Sequence, residues 1–170
     1  MSNSLSEWQQ LRILEELRRL DFPIVPNYKI WLNSKKPSVV IFGLKLIGYF
    51  GHFEALVHFK DVFINPDFGV RKELLLSIKK LQIPFHNKDI LMLLKSEDLV
   101  ILSIETLTVT CDDEQNELLP FLDSENYDVF KVAAQFFKKN LPSVLIELSK
   151  TTNLSEMKML VLAHVNDERI

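Results

Sequence analysis

One apolar pattern recurs five times along this chain of 170 residues. Each copy begins with an apolar residue near the start of a predicted helix and continues with small or apolar residues at four-residue spacing. The first members of the copies are 31, 29, 30 and 30 residues apart, and a fixed period of roughly 20 to 50 residues is typical of stacked repeats. The pattern therefore predicts a repeat protein. The copies are Val39, Gly43 and Ile47; Val70, Leu74 and Ile78; Leu99, Ser103 and Leu107; Val129, Ala133 and Phe137; and Met159 with Ala163.

The composition favours helices over strands. The chain has only four Gly, and it lacks short alternating apolar segments bounded by turn pairs. Its apolar content of 47% with twelve Phe is enough for a continuous core. We expect one all-α domain over residues 1–170, made of a capping helix at 4–20 followed by helix pairs at 27–50, 53–81, 87–110, 114–139 and 142–165.

The predicted helix pairs need one another for stability. A two-helix unit of about thirty residues cannot bury both of its apolar faces alone, and stacking on a neighbour supplies the missing cover. The middle position of most copies is small, which predicts a close approach between helices, and Leu74 departs from this rule. The small residues are Gly43, Ser103, Ala133 and Ala163.

Helix-start signals support these boundaries. Ser4 and Glu7 have the spacing of a capping box, as do Asn153 and Glu156. Asn65 is the predicted cap of the helix over 66–81, since Pro66 suits the first helical position. Pro120 makes the short helix over 118–122 the least regular element, because proline disrupts a helix interior. The first helix is predicted to bury a stripe of Trp8, Leu11, Leu14 and Leu17.

The segment Asp67-Phe68-Gly69-Val70-Arg71 resembles the Asp-x-x-Val-Arg turn of HEAT repeats. It is most similar to the short bacterial HEAT-like repeats of about thirty residues that are related to those in phycobilisome lyases. Asp98 before Leu99 and Asp128 before Val129 match part of the same motif, so that the resemblance covers roughly residues 27–165. It implies a right-handed α-α superhelix (solenoid) of about five helix pairs behind an N-terminal capping helix, and a binding scaffold rather than an enzyme.

The charge of the chain is unevenly distributed. The net charge of −3 and the pI near 5.8 lack the basic footprint of most nucleic-acid-binding proteins, so no nucleic-acid partner is expected. Residues 1–50 carry a formal charge of +3, residues 51–100 are neutral, and residues 101–170 carry −6. We therefore expect a basic first end and an acidic last end.

Candidate partner-binding residues follow from this charge distribution. Neighbouring basic side chains near the first end are expected to form a joint electrostatic surface, and an aromatic side chain exposed at that edge is expected to anchor the partner. The arginine of the HEAT-like motif is a further candidate. Acidic clusters in the second half are expected to contact a basic partner. The predicted residues are Arg18, Arg19, Lys35, Lys36, Trp31, Arg71, Asp112, Asp113, Asp123 and Glu125.

No catalytic, cofactor or metal-binding residue is predicted. His52, Glu54 and His58 are the most compact set of metal-ligand types, but they lack the His-x-x-x-His spacing of a zinc helix. The acidic clusters lack the spacing and the central Gly of an EF-hand loop. Cys111 is surrounded in sequence by acids, which raise a thiol pKa rather than activate it.

A single Cys fits a reducing compartment, so we expect a cytoplasmic location. The longest apolar run, over 39–50, is shorter than the roughly 18 to 20 residues that a bilayer span needs. The sequence thus favours a non-enzymatic scaffold that binds a protein partner through the concave surface of the superhelix and its charged ends. Two alternatives stay open: a lyase or lyase-like subunit that binds a cofactor, and a HEAT-like nucleic-acid-binding protein. The sequence is also compatible with a chain that is part of a longer protein or of a larger assembly.

Overall fold

The described part of the chain is entirely helical. The computed structural model describes residues 6–20, 28–82, 87–110, 116–140, 142–150, 155–156, 158–159 and 162–163. These residues form helices and turns without a strand, which confirms the expected all-α class. The chain divides into two compact units, Met1–Ile83 (unit 1) and Pro84–Ile170 (unit 2). The single repeat domain over 1–170 stays a prediction.

Unit 1 alternates short helices with long ones. The short helix α2 packs on α3, and α4 packs on α5, while the long helices α3 and α5 lie side by side. One boundary differs from the sequence expectation, because the predicted helix over 53–64 is a 3-10 helix followed by one short α-helix. The described elements are α1 (Glu7–Arg19), α2 (Tyr28–Leu32), α3 (Pro37–Phe50), a 3-10 helix (Phe53–His58), α4 (Phe59–Phe63) and α5 (Phe68–Leu81).

The starts of α1 and α5 are capped, though at other residues than predicted. Ser6 accepts a hydrogen bond from the Gln9 amide, and the Gln9 side chain accepts one from the Ser6 amide at 2.8 Å, which completes a capping box. The predicted partner Ser4 lies outside the described residues. In α5 the cap is Asp67, whose Oδ1 accepts from the Val70 amide at 2.9 Å. Asn65 instead accepts from the Asp67 amide, because Pro66 precedes the helix rather than opening it.

The contact between α3 and α5 is close enough to bring one backbone against the other. A Cβ atom added to Gly48 would lie 2.9 Å from the Cα atom of Ser77. The buried Ser77 hydroxyl donates a hydrogen bond to the Leu44 carbonyl oxygen at 2.9 Å. Small residues at the crossing thus let a side chain of α5 bond the backbone of α3 directly, and Gly48 is a contact that the repeat pattern did not predict.

Helix α1 buries only half of its predicted apolar stripe. Leu14 is buried in a cluster with Leu46 of α3, and Leu17 packs against this cluster. Trp8 and Leu11 are 68% and 51% exposed, so the prediction that all four residues face the core is wrong. The four positions span about half of the helix circumference at about 100° per residue, and the contact with α3 covers only the Leu14 and Leu17 side.

Unit 2 follows the same alternation. The short helix α6 packs on α7, a 3-10 helix packs on α8, and α7 and α8 lie side by side, with α9 against α8. Pro120 lies inside that 3-10 helix, where an α-helix was predicted. Residues 156, 158–159 and 162–163 are helical, within the last predicted helix. The described elements are α6 (Asn87–Leu93), α7 (Val100–Thr110), a 3-10 helix (Asn116–Asp123), α8 (Tyr127–Asn140) and α9 (Pro142–Ser149).

Polar side chains of unit 2 bond to the backbone of α7. The hydroxyls of Thr106, Thr108 and Thr110 each donate to the carbonyl oxygen four residues earlier, at 2.7 to 3.0 Å. Lys139 of α8 donates from Nζ to the Thr108 carbonyl oxygen at 2.7 Å. A cation at the end of a helix satisfies a free carbonyl and complements the helix dipole. This hydrogen bond therefore ties α8 to the last turn of α7.

The repeat positions are inward-facing in four of the five copies. Every member of the first four copies is buried except Val39, which is half-buried beside the fully buried Val40. The prediction for the fifth copy is wrong, because Met159 and Ala163 are exposed and Leu162 is buried. Leu162 lies about 100° from Ala163 on a helix, so the buried face of this helix is rotated from the predicted one.

The glycine at the α3–α5 crossing gives the first prediction. Gly48→Ala is expected to lower the free energy of unfolding by about 1–3 kcal/mol, the usual cost of overpacking. The sign of this change is informative, since replacing Gly by Ala in an uncrowded helix interior raises the free energy of unfolding by about 1 kcal/mol. Urea denaturation of the two proteins measures the difference.

Gly43→Ala is the matched control. A Cβ atom there would meet the side chain of Trp31 at 3.2 Å rather than a backbone atom, so a smaller loss is expected. A Gly48→Ala protein as stable as the wild type would contradict the backbone contact between α3 and α5.

Candidate protein-binding surfaces

The aromatic side chain of α1, Trp8, is exposed and lies beside an arginine. Trp8 is 68% exposed, and the Arg12 guanidinium carbon lies 5.4 Å from the centroid of its ring. Leu11 is 51% exposed one turn away. Trp and Arg are the residues most enriched in binding hot spots. The helical spacing predicted Trp8 to lie in the core. The width of the apolar arc on α1, about half of the circumference, indicates that part of the arc stays exposed but not which part.

Arg18 and Arg19 lie in the last turn of α1, and both are exposed. Arg19 pairs with Glu16 at 3.3 Å, and the two side chains are 77% and 61% exposed. An exposed ion pair one turn apart contributes little to stability. Arg18 is seven residues after Leu11, so it lies on nearly the same line along the helix. Of the two predicted arginines, Arg18 therefore continues the exposed apolar face.

Lys35 and Lys36 lie at the start of α3, and both are exposed. Lys36 occupies the N-cap position, with no side-chain hydrogen bond to the first turn and no acidic residue in that turn. An ammonium group has no acceptor for the free amides, and a cation is unfavourable at this end of the helix dipole. Lys36 thus stands where helix stability favours Asp, Asn, Ser or Thr, and Lys35 lies one residue before that position.

Trp31 and Arg71 have a packing role. The half-buried Trp31 ring stacks on Phe42 with centroids 6.0 Å apart, and its Cβ lies against Gly43. Arg71 is half-buried in the first turn of α5, and its Nε atom is buried without a hydrogen-bond partner. Both side chains are half-buried, which leaves less of each for a partner than Trp8 offers.

Asp123 and Glu125 are exposed beside the turn that leads into α8. The turn is held by other residues, since the Ser124 hydroxyl oxygen accepts from the Asn126 amide at 3.2 Å and Asn126 Oδ1 accepts from the Asp128 amide at 3.0 Å. The two carboxylates are not needed for this cap, and Tyr127 is 41% exposed beside them. The other predicted acids, Asp112 and Asp113, lie outside the described residues.

The division into units separates the charges more sharply than the sequence segments did. Unit 1 contains twelve Lys and Arg against eight Asp and Glu, a formal charge of +4. Unit 2 contains eight Lys and Arg against fifteen Asp and Glu, a formal charge of −7. The predicted basic and aromatic residues all belong to unit 1, and the predicted acidic residues all belong to unit 2.

The two histidines that were weighed as metal ligands pack against different aromatic rings. The His52 ring lies 6.4 Å from the ring centroid of Phe50, and the His58 ring lies 5.8 Å from that of Tyr28. Across the described ranges, His, Cys, Asp and Glu side chains form no group of three able to hold a metal ion.

The helices of the described segments are too short or too polar for any one of them to cross a bilayer.

Neither a protein-family model, nor a curated protein, nor a solved structure matches this chain at a significant level. The resemblance to HEAT repeats thus stays a prediction from the residues that carry it.

The cap position of α3 gives the second prediction. Lys36→Asp is expected to stabilise unit 1 by about 1 kcal/mol, because the carboxylate accepts from a free amide and complements the helix dipole. Thermal and urea denaturation measure the change. Lys35→Asp, one residue outside the cap position, provides the control and is expected to gain only about 0.3 kcal/mol from charge alone. Equal gains for the two variants would show that capping is not the cause.

Proposed function

We propose that this chain is a non-enzymatic protein-binding module that works in the cytoplasm. Its helix pairs are proposed to belong to a HEAT-like, right-handed α-α superhelix with α1 as the capping helix. The partner is a protein, held by the basic and aromatic surface of unit 1 and the acidic turn of unit 2.

The observation that carries this proposal is the exposure of Trp8 and Leu11. Both residues are apolar, both leave half or more of their surface in solvent, and Arg12 lies beside the Trp8 ring. The same helix does have an apolar contact available, because Leu14 is 5% exposed in the cluster with Leu46. Exposed apolar side chains next to arginine have the composition of a protein interface.

The packing within each unit supports the repeat part of the proposal. In unit 1 the long helices α3 and α5 lie side by side, each with a short helix packed on it. In unit 2, α7 and α8 have the same relation, with α6 on one and the 3-10 helix on the other. A helix pair that recurs at about thirty residues and packs on the next pair is how helical repeat proteins extend their binding surface.

The lysines at the start of α3 support a basic contact surface. Lys36 provides no side-chain cap to α3, and the helix dipole disfavours a cation at this end of the helix. A charge that costs stability at an exposed position is consistent with selection for binding, because binding surfaces and stability often conflict. An exposed cationic helix start of this kind favours an acidic contact on the partner.

The third prediction tests the function by charge reversal. The full chain is immobilised and used to capture proteins from the source cell, and bound proteins are quantified by mass spectrometry. The wild type is expected to retain a specific protein. The Lys35→Glu, Lys36→Glu double variant is expected to capture at least about tenfold less of it, which corresponds to a loss of roughly 1.4 kcal/mol in binding free energy. The double variant should be at least as stable as the wild type, so unfolding cannot explain the loss.

The control is the double variant Lys88→Glu, Lys95→Glu, which changes the net charge equally at two exposed residues of unit 2. Its capture should stay within about twofold of the wild type. Equal loss in both double variants would attribute binding to net charge alone. A wild type that retains no protein above the level of an unrelated helical protein would overturn the proposed function.

A further inference from the structure

Helix α1 has two distinct faces along its length. One face is covered within unit 1, where Leu14 is buried and Leu17 packs against the same cluster. The other face is exposed and consists of Trp8, Leu11, Glu15 and Arg18. We call these four residues the outer face of α1.

We propose that the outer face of α1 binds an amphipathic helix of a protein partner, one that carries carboxylates beside its apolar stripe. This inference rests on the proposed function and specifies the chemical class of the partner.

The spacing of the outer face indicates that the occupant is a helix. Its members follow one another at three, four and three residues, which is the spacing of the contact seam between two packed helices. The face extends over ten residues, or about 15 Å at the rise of an α-helix. Peptide helices are commonly bound through apolar anchors at this spacing. Trp8 and Leu11 supply such anchors in the first half of α1.

The charges around the apolar pair indicate that the partner is acidic. Arg12 lies over the Trp8 ring, and Arg18 follows Leu11 on nearly the same line. The acidic side chain of Glu16 is already paired with Arg19. A partner carboxylate next to the apolar stripe would meet Arg12 or Arg18, and the charge of +4 on unit 1 favours its approach.

Glu15 makes two other occupants less favourable. The Glu15 carboxylate lies between the two apolar anchors and Arg18. Binding to a membrane surface would remove this carboxylate from water without giving it a partner. A parallel second copy would place Glu15 against Glu15 and Arg18 against Arg18. An antiparallel second copy would place Leu11 against Glu15. A partner helix with apolar residues opposite Trp8 and Leu11, one basic residue opposite Glu15 and an acid opposite Arg18 satisfies all four positions.

The test uses the fluorescence of Trp8 in the full chain. The chain has two Trp, so Trp31→Phe leaves Trp8 as the sole indole. Two synthetic amphipathic helical peptides with the same leucine stripe are compared, one flanked by Glu and the other by Lys. The Glu peptide is expected to shift the Trp8 emission to shorter wavelength in a saturable way, as the ring leaves water. Its affinity is expected to exceed that of the Lys peptide by at least about tenfold and to fall with added salt.

Variants at exposed residues locate the binding. Leu11→Ser and Arg18→Glu are each expected to weaken the binding of a labelled Glu peptide, measured by anisotropy, by about tenfold or more. Ile30→Ser and Lys60→Glu are the matched controls, since both residues are exposed in unit 1 outside α1. They should leave the affinity within about twofold. Circular dichroism is used to check that all four variants keep their helix content.

Four results would overturn the inference: equal affinity for the two peptides, no binding of the Glu peptide, unchanged binding after Leu11→Ser, or a Trp8 shift caused by higher protein concentration alone. A larger Trp8 shift with vesicles of phosphatidylcholine and phosphatidylserine than with the Glu peptide would assign the face to a lipid surface instead. The proposed function fails separately, since it is overturned only if the full chain retains no protein. A captured protein that is insensitive to Leu11→Ser and Arg18→Glu overturns this inference and leaves the function standing.

Discussion

The close contact between α3 and α5 is the constraint on which unit 1 depends. Gly48 leaves room for the backbone of α5, and the Ser77 hydroxyl bonds to the Leu44 carbonyl oxygen at the same crossing. Two helices that approach this closely fix the position of everything attached to them. Helix α2 is placed by its contact with α3, and α1 by the burial of Leu14 against Leu46. The exposed face of α1 is therefore presented by a firmly packed support.

In unit 2 a different interaction has the corresponding role. Helices α7 and α8 pack through the buried residues of the repeat, and Lys139 bonds to the last turn of α7. The Thr side chains of α7 bond to its own backbone, which satisfies hydroxyls that a buried apolar contact would otherwise leave unpaired. In each unit, a side-chain hydrogen bond to the neighbouring backbone thus accompanies the apolar packing of two long helices.

The candidate surfaces show where stability and binding favour different residues. Ser6 and Asp67 cap their helices as helix stability demands, whereas Lys36 occupies an equivalent position and cannot. Trp8 and Leu11 remain exposed although the same helix buries Leu14. Lys36, Trp8 and Leu11 all fall in the unit with the positive charge. The proposal of an acidic, helical partner is the one that accounts for the apolar and the basic exceptions together.

The all-α class, and the burial of the repeat positions in the first four copies apart from the half-buried Val39, could be predicted from the residues alone, because helical spacing and a period of about thirty residues reflect local geometry. The net charge of each part of the chain could also be counted from the sequence, because a formal charge depends only on the residues present. Packing between helices, in contrast, selected which half of the apolar arc on α1 is covered. It also placed Gly48 rather than Gly43 against the neighbouring long helix, and buried Leu162 rather than Met159. A sequence pattern shows that a helix has an apolar face, but the angle at which its neighbour packs selects the residues that lose their contact with water.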